Sequence, residues 1–202
     1  MPPPLIALVT LLGLSATSAW AGPTAMQARY TIGVPADLGS LQVEACFEAG
    51  GIFDLRSRSP QAGGLLDGLA GGVDTLVAWR GERIQVRVPG REGCLSYRVN
   101  LDRASQQGHW RREFVVATDA ILLDPELFLW RPDGVSDVAV EFRLPPGHSV
   151  SAPWEMLAST TKGAVFRTGA HAALGDGKVA LGRFETYRLD AIGAIVEVAL
   201  LR

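Results

Sequence analysis

The sequence predicts an all-β fold, an antiparallel β-sandwich with short helical turns, and three observations carry that expectation. From Ala28 onward apolar and polar residues alternate with period two, which puts one face of a strand on a core and the other in water. Clusters of Gly, Pro, Asp and Asn interrupt the alternation at short intervals, as turns between strands do. No segment sustains the i, i+3, i+4 apolar spacing of an amphipathic helix over several turns.

Taken in chain order, the strands are expected at Tyr30 to Val34, Leu41 to Phe47, Ile52 to Arg56, Thr75 to Trp79 and Ile84 to Val88. They continue with Leu95 to Leu101, Phe114 to Ala117, Leu127 to Trp130, Val138 to Leu144, Ala164 to Thr168, Lys178 to Phe184 and Ala194 to Leu200. The runs Ile84 to Val88, Leu95 to Leu101 and Val138 to Leu144 alternate most cleanly, the pattern of antiparallel strands wet on one side. Turn residues separate them at Val34-Pro35-Ala36-Asp37, Trp79-Arg80-Gly81-Glu82, Pro89-Gly90, Arg131-Pro132-Asp133-Gly134 and Leu144-Pro145-Pro146-Gly147. Short helical turns are expected at Gly64 to Leu69 and at Pro153 to Leu157, where a proline suits a first turn.

The leader Met1 to Ala21 carries an apolar run from Leu5 to Leu14 and ends in Ala19-Trp20-Ala21, so residues 1–21 read as a signal peptide. It lacks the Lys or Arg usual before such a run. The run falls short of the about 20 apolar residues a membrane span needs, so no span is expected once the leader is cut. The remaining residues, 22–202, read as a single β-sandwich domain in the periplasm or outside the cell. With 19 Lys and Arg against 21 Asp and Glu, the net charge of −2 supplies no field to grip a phosphate backbone, and nucleic acid is not an expected partner.

Export bears on the two cysteines. Alternation places Cys46 with Gln42 and Glu44, opposite Leu41, Val43 and Phe47, and places Cys94 with Ser96 and Arg98. Both thiols therefore lie on the polar faces of their strands. In an oxidising compartment the expectation is a Cys46–Cys94 disulfide.

No complete catalytic site is legible. His109, His148 and His171 lie far apart and none precedes a Glu, so no H-E-x-x-H zinc motif exists, and neither a metal nor a cofactor is expected. There is no G-x-S-x-G elbow, and no histidine stands beside either cysteine to act as its base. The Gly-rich stretch from Gly63 to Gly72 lacks the Lys and Ser/Thr of a phosphate loop and reads as a mobile loop. Asp119 and Asp124 flank Ile121-Leu122-Leu123 as solvated turn residues. Trp110, between His109 and the pair Arg111 and Arg112, is a candidate interaction surface, while Trp79, Trp130 and Trp154 border apolar stretches and read as core or rim.

Three stretches carry a family resemblance: Leu95-Ser96-Tyr97-Arg98-Val99, then Ile121 to Trp130, then Val140 to Gly147 followed by Pro153-Trp154. The chain from Ala28 to Leu201 resembles the N-terminal β-domain of secreted glycyl-aminopeptidase-type zinc metallopeptidases. The resemblance implies a β-sandwich that precedes a helical zinc domain carrying H-E-x-x-H and a further Glu ligand. That domain would begin past Arg202, so none of its ligands has a counterpart here. Two functions follow as expectations: a non-catalytic accessory domain that packs against and shapes a catalytic domain, or a free-standing module outside the cytoplasm that binds a protein or peptide.

Overall fold

The computed structural model describes residues 28–48, 50–106, 114–117, 119–133, 135, 138–168, 177–191 and 194–200. The expected signal peptide lies outside these residues. The chain opens with β1 (Ala28–Gly33), β2 (Ser40–Phe47), β3 (Gly51–Arg56), a 3-10 turn (Ala62–Leu65) and β4 (Leu66–Gly71). Next come β5 (Leu76–Trp79), β6 (Arg83–Val88), β7 (Gly93–Asn100), α1 (Leu101–Gln106), β8 (Phe114–Val116) and β9 (Ala120–Leu123). A second 3-10 turn (Pro125–Leu127) leads to β10 (Arg131–Pro132), β11 (Val138–Arg143), β12 (Ser149–Ser151) and β13 (Glu155–Thr160). The last strands are β14 (Gly163–Arg167), β15 (Val179–Gly182), β16 (Glu185–Ala191) and β17 (Ala194–Leu200).

The all-β sandwich is as expected. A seven-stranded sheet runs β13-β14-β11-β1-β2-β7-β4, with four-stranded sheets β10-β3-β6-β5 and β12-β15-β9-β8 and a β16-β17 hairpin. Pairing is antiparallel except between β1 and β11, which run parallel with Tyr30 opposite Val140. Alternation gives one shared core: Leu41, Val43 and Phe47 of β2, Ile84 and Val86 of β6, Tyr97 and Val99 of β7, and Val140 and Phe142 of β11 join a single buried cluster. Among the described residues no helix is long and apolar enough to cross a membrane.

Three sequence expectations are corrected. Leu127 to Trp130 is not a strand. Asp124 caps a 3-10 turn by accepting a hydrogen bond from the Glu126 N–H at 3.0 Å, and Pro125, with no N–H of its own, opens that turn. All four side chains that follow, Leu127 to Trp130, are buried, which a strand wet on one face could not achieve. Nor is Pro153 to Leu157 helical. Trp154, stacked on Phe142 at 6.4 Å, anchors the segment to the core, and Glu155 to Thr160 pair with β14 before the chain turns back, leaving no length for a helix.

The Gly-rich stretch is a 3-10 turn and a sheet strand, not a mobile loop. β4 pairs with β7, Asp67 opposite Arg98 and Ala70 opposite Ser96, so β4 carries one extra residue. Gly68, at φ 63°, sits in that bulge, a conformation glycine adopts without strain. Asp67 fastens the strand by accepting from Asn100 at 3.3 Å and from Arg103 at 3.2 Å. The Asn100 amide, helped by Arg103 and Arg98, holds the Asp67 carboxyl below its ordinary range. Asn100 also caps α1, its side-chain oxygen accepting from the Arg103 N–H at 2.8 Å, so Leu101 begins a helix instead of ending β7.

Candidate functional site

A cleft of about 430 Å3 opens among the described residues. Four pieces of chain form it: residues 56–60 at and beyond the end of β3, 63–64 of the first 3-10 turn, the β5–β6 turn with its flanking Trp79 and Arg83, and Trp130. Trp79 lies across Trp130, ring centres 5.3 Å apart and planes at 62°. Trp130 is buried, whereas Trp79 is 42% exposed. Gly63 permits this arrangement, because a Cβ there would stand 2.9 Å from the Trp79 ring.

The cleft floor is fixed by polar contacts to a segment with no sheet pairing of its own until β10. The Tyr30 hydroxyl donates to the Trp130 carbonyl at 2.7 Å. The Tyr97 hydroxyl donates to the Phe128 carbonyl at 2.7 Å and accepts from the Trp130 N–H at 3.3 Å. Glu126, 4% exposed, accepts from Arg131 on one carboxylate oxygen at 2.7 Å and from the Arg58 N–H on the other at 2.9 Å. Ser57 completes the clasp, its hydroxyl donating to the Glu126 carbonyl and accepting from the Ser59 N–H at 3.0 Å. Buried backbone groups that lack a ladder are thus satisfied by side chains.

Burial pushes both core phenols up. The neighbouring Tyr97 adds to the rise at Tyr30, while the hydrogen bond from the Trp130 backbone pulls Tyr97 back in part. In the unfolded chain both ionise near pH 10, but in the fold they stay neutral well beyond it. Their contribution is therefore complete below pH 10 and falls as pH rises further. Urea unfolding should show a midpoint level between about pH 8 and 9.5 that drops above about pH 10, with a shallower drop in Tyr97→Phe. Ionisation of Tyr30 and Tyr97 near pH 10 in the folded protein, read at 295 nm, would contradict this.

A second feature is the edge of the seven-stranded sheet. All six residues of β13 are exposed, with Met156 at 39% and Leu157 at 43%. A register shift between Met156 and Ala158 blunts the edge. Met156 and Thr186 face a shallow depression of about 570 Å3 that also takes in His148 and Val150.

The disulfide is present. Cys46 and Cys94 face each other in the β2–β7 register, bonded, with Cα atoms 4.1 Å apart. The Cys94 carbonyl turns away to accept from the Gly72 N–H at 2.8 Å, as in the close, non-hydrogen-bonded pair of an antiparallel ladder. Among the described residues Cys46, Glu92 and Cys94 are close enough to suggest a metal cluster, but both sulfurs are spent in the bridge. Asp124 is structural, paired with Lys178 at 3.1 Å. Trp110, Arg111 and Arg112, like His109 and His171, lie outside the described residues.

Sequence reasoning did not find the cleft. Its arginines and its exposed tryptophan come from separate segments, and the only local signal was the Arg56-Ser57-Arg58 run directly after a strand.

By sequence the chain matches no protein-family model and no curated protein. Its fold does match solved structures. An aminopeptidase N family protein from Idiomarina loihiensis superposes with a TM-score of 0.69 at 14% identity, over 87% of this chain and 32% of that one. A two-domain M1 zinc metallopeptidase mutant bound to L-tryptophan gives 0.55 at 14% identity, over 88% of this chain and 48% of that one. At these identities the likeness establishes the fold. The chain spans less than half the length of either protein.

Proposed function

We propose that this chain is the non-catalytic β-domain of a larger metallopeptidase-like protein outside the cytoplasm, packing against a catalytic domain and shaping its cleft. The observation that carries the reading is the superposition on one part of an aminopeptidase N family protein, which uses 87% of this chain and only 32% of that one. The exposed apolar β13 edge supports it as a surface for a covering domain. The disulfide and the leader support a periplasmic or secreted setting. The glycyl-aminopeptidase subtype rests on the Tyr97-Arg98, Leu127 to Trp130 and Pro153-Trp154 marks of the sequence.

The test is to capture the native protein from its source with an antibody against residues 28–200 and assay the captured material with aminoacyl chromogenic substrates, glycyl included. Hydrolysis abolished by a zinc chelator, together with H-E-x-x-H peptides in the same captured chain or complex, is the expected result. Captured material with neither overturns the proposal. The second reading, a free-standing peptide-binding module, is favoured by the Trp79 cleft.

A further inference from the structure

The Trp79 cleft combines a part-exposed indole with several arginines. Of the tryptophans described, Trp130 and Trp154 are 2% and 8% exposed, while Trp79 presents 42% of its surface. An indole held open against a buried partner is what binding hot spots use. Three arginines, Arg56, Arg58 and Arg83, and one acidic residue, Glu82, line the same space. Arg83 is committed to Asp54 at 2.9 Å. Arg56 meets Asp133 at 3.5 Å across side chains 49% and 72% exposed, a contact that contributes little and exchanges readily. The Arg58 guanidinium has no ion pair among the described residues, yet its backbone is fixed by Glu126. The cleft volume, about 430 Å3, suits one or two amino-acid residues.

We propose that this cleft binds a peptide carboxylate that stands beside an apolar side chain, with Arg58 taking the carboxylate and Trp79 the apolar group. A guanidinium recognises a planar carboxylate through paired N–H donors, and an indole face covers an apolar group. Glu126 holds the Arg58 backbone and Trp130 packs against Trp79, so the ordering cost at binding falls mainly on the Arg58 side chain. Such binding uses residues of this chain alone, with or without a catalytic domain beside it.

The experiment titrates the native protein with N-acetyl-L-phenylalanine and with its amide, by calorimetry and by tryptophan fluorescence, since phenylalanine adds no emission of its own there. Saturable binding of the acid near about 1 mM is expected for a ligand of this size, with the amide weaker by about tenfold. Arg58→Gln, which retains the backbone N–H held by Glu126, should bring the acid down to the amide's affinity and leave the amide unchanged. Trp79→Ala should weaken both. N-acetyl-glutamyl-phenylalaninamide then separates the two sources: equal binding assigns an internal acidic residue, weak binding assigns a C-terminal carboxylate. Equal affinity for acid and amide, no saturation well above the millimolar range, or an unchanged Arg58→Gln overturns the proposal.

Discussion

Replacing both Cys46 and Cys94 with alanine should lower the unfolding free energy by about 4 kcal/mol, the chain-entropy value for a loop of this length. The bridge joins positions 48 residues apart, and that loop contains β3, β4, β5 and β6. Every segment of the cleft except Trp130 lies inside it. Left uncrosslinked, the unfolded chain regains the freedom of that loop, while the folded chain keeps the β2–β7 ladder that holds the two positions in register. Urea unfolding of oxidised protein, reduced protein and the double variant measures the effect. With a slope of about 2 kcal/mol per molar, the midpoint should fall by about 2 M. A loss under about 1 kcal/mol would mean that the loop is already ordered in the unfolded ensemble.

The same bridge marks where reading from sequence succeeded. Strict alternation in β2 and β7 placed Cys46 and Cys94 on the polar faces of their strands, and that face is where the structure joins them. The strands β6 and β11 were legible for the same reason, since a half-buried strand writes its burial into a period of two. Burial without period was not legible. Leu127, Phe128, Leu129 and Trp130 are all interior, and an unbroken apolar run carries no information about backbone conformation. The edge strand β13 failed for the opposite reason, because all six of its residues are exposed and its assignment depends on pairing with β14. The cleft needed tertiary structure outright: Arg58, Trp79 and Trp130 come from separate segments and line one space only once the sheet β10-β3-β6-β5 and an irregular segment have packed.

That irregular segment turns on one buried ion pair, and Glu126→Ala should be among the most destabilising single changes in the protein. Arg131 and Glu126 have side chains 12% and 6% exposed. Removing the carboxylate leaves the guanidinium buried without a partner, which costs about 3–5 kcal/mol. It also releases the Arg58 N–H and so loosens the turn that carries the proposed carboxylate anchor. Two measurements separate these consequences. Urea unfolding of Glu126→Ala should show the full loss, whereas a Glu126→Leu, Arg131→Met double variant, in which no charge is stranded, should lie closer to the parent. N-acetyl-L-phenylalanine binding should weaken in both variants, because both lack the acceptor for Arg58. A Glu126→Ala protein as stable as its parent would mean that Arg131 reaches solvent once its partner is gone, and that the pair positions the cleft without holding the fold.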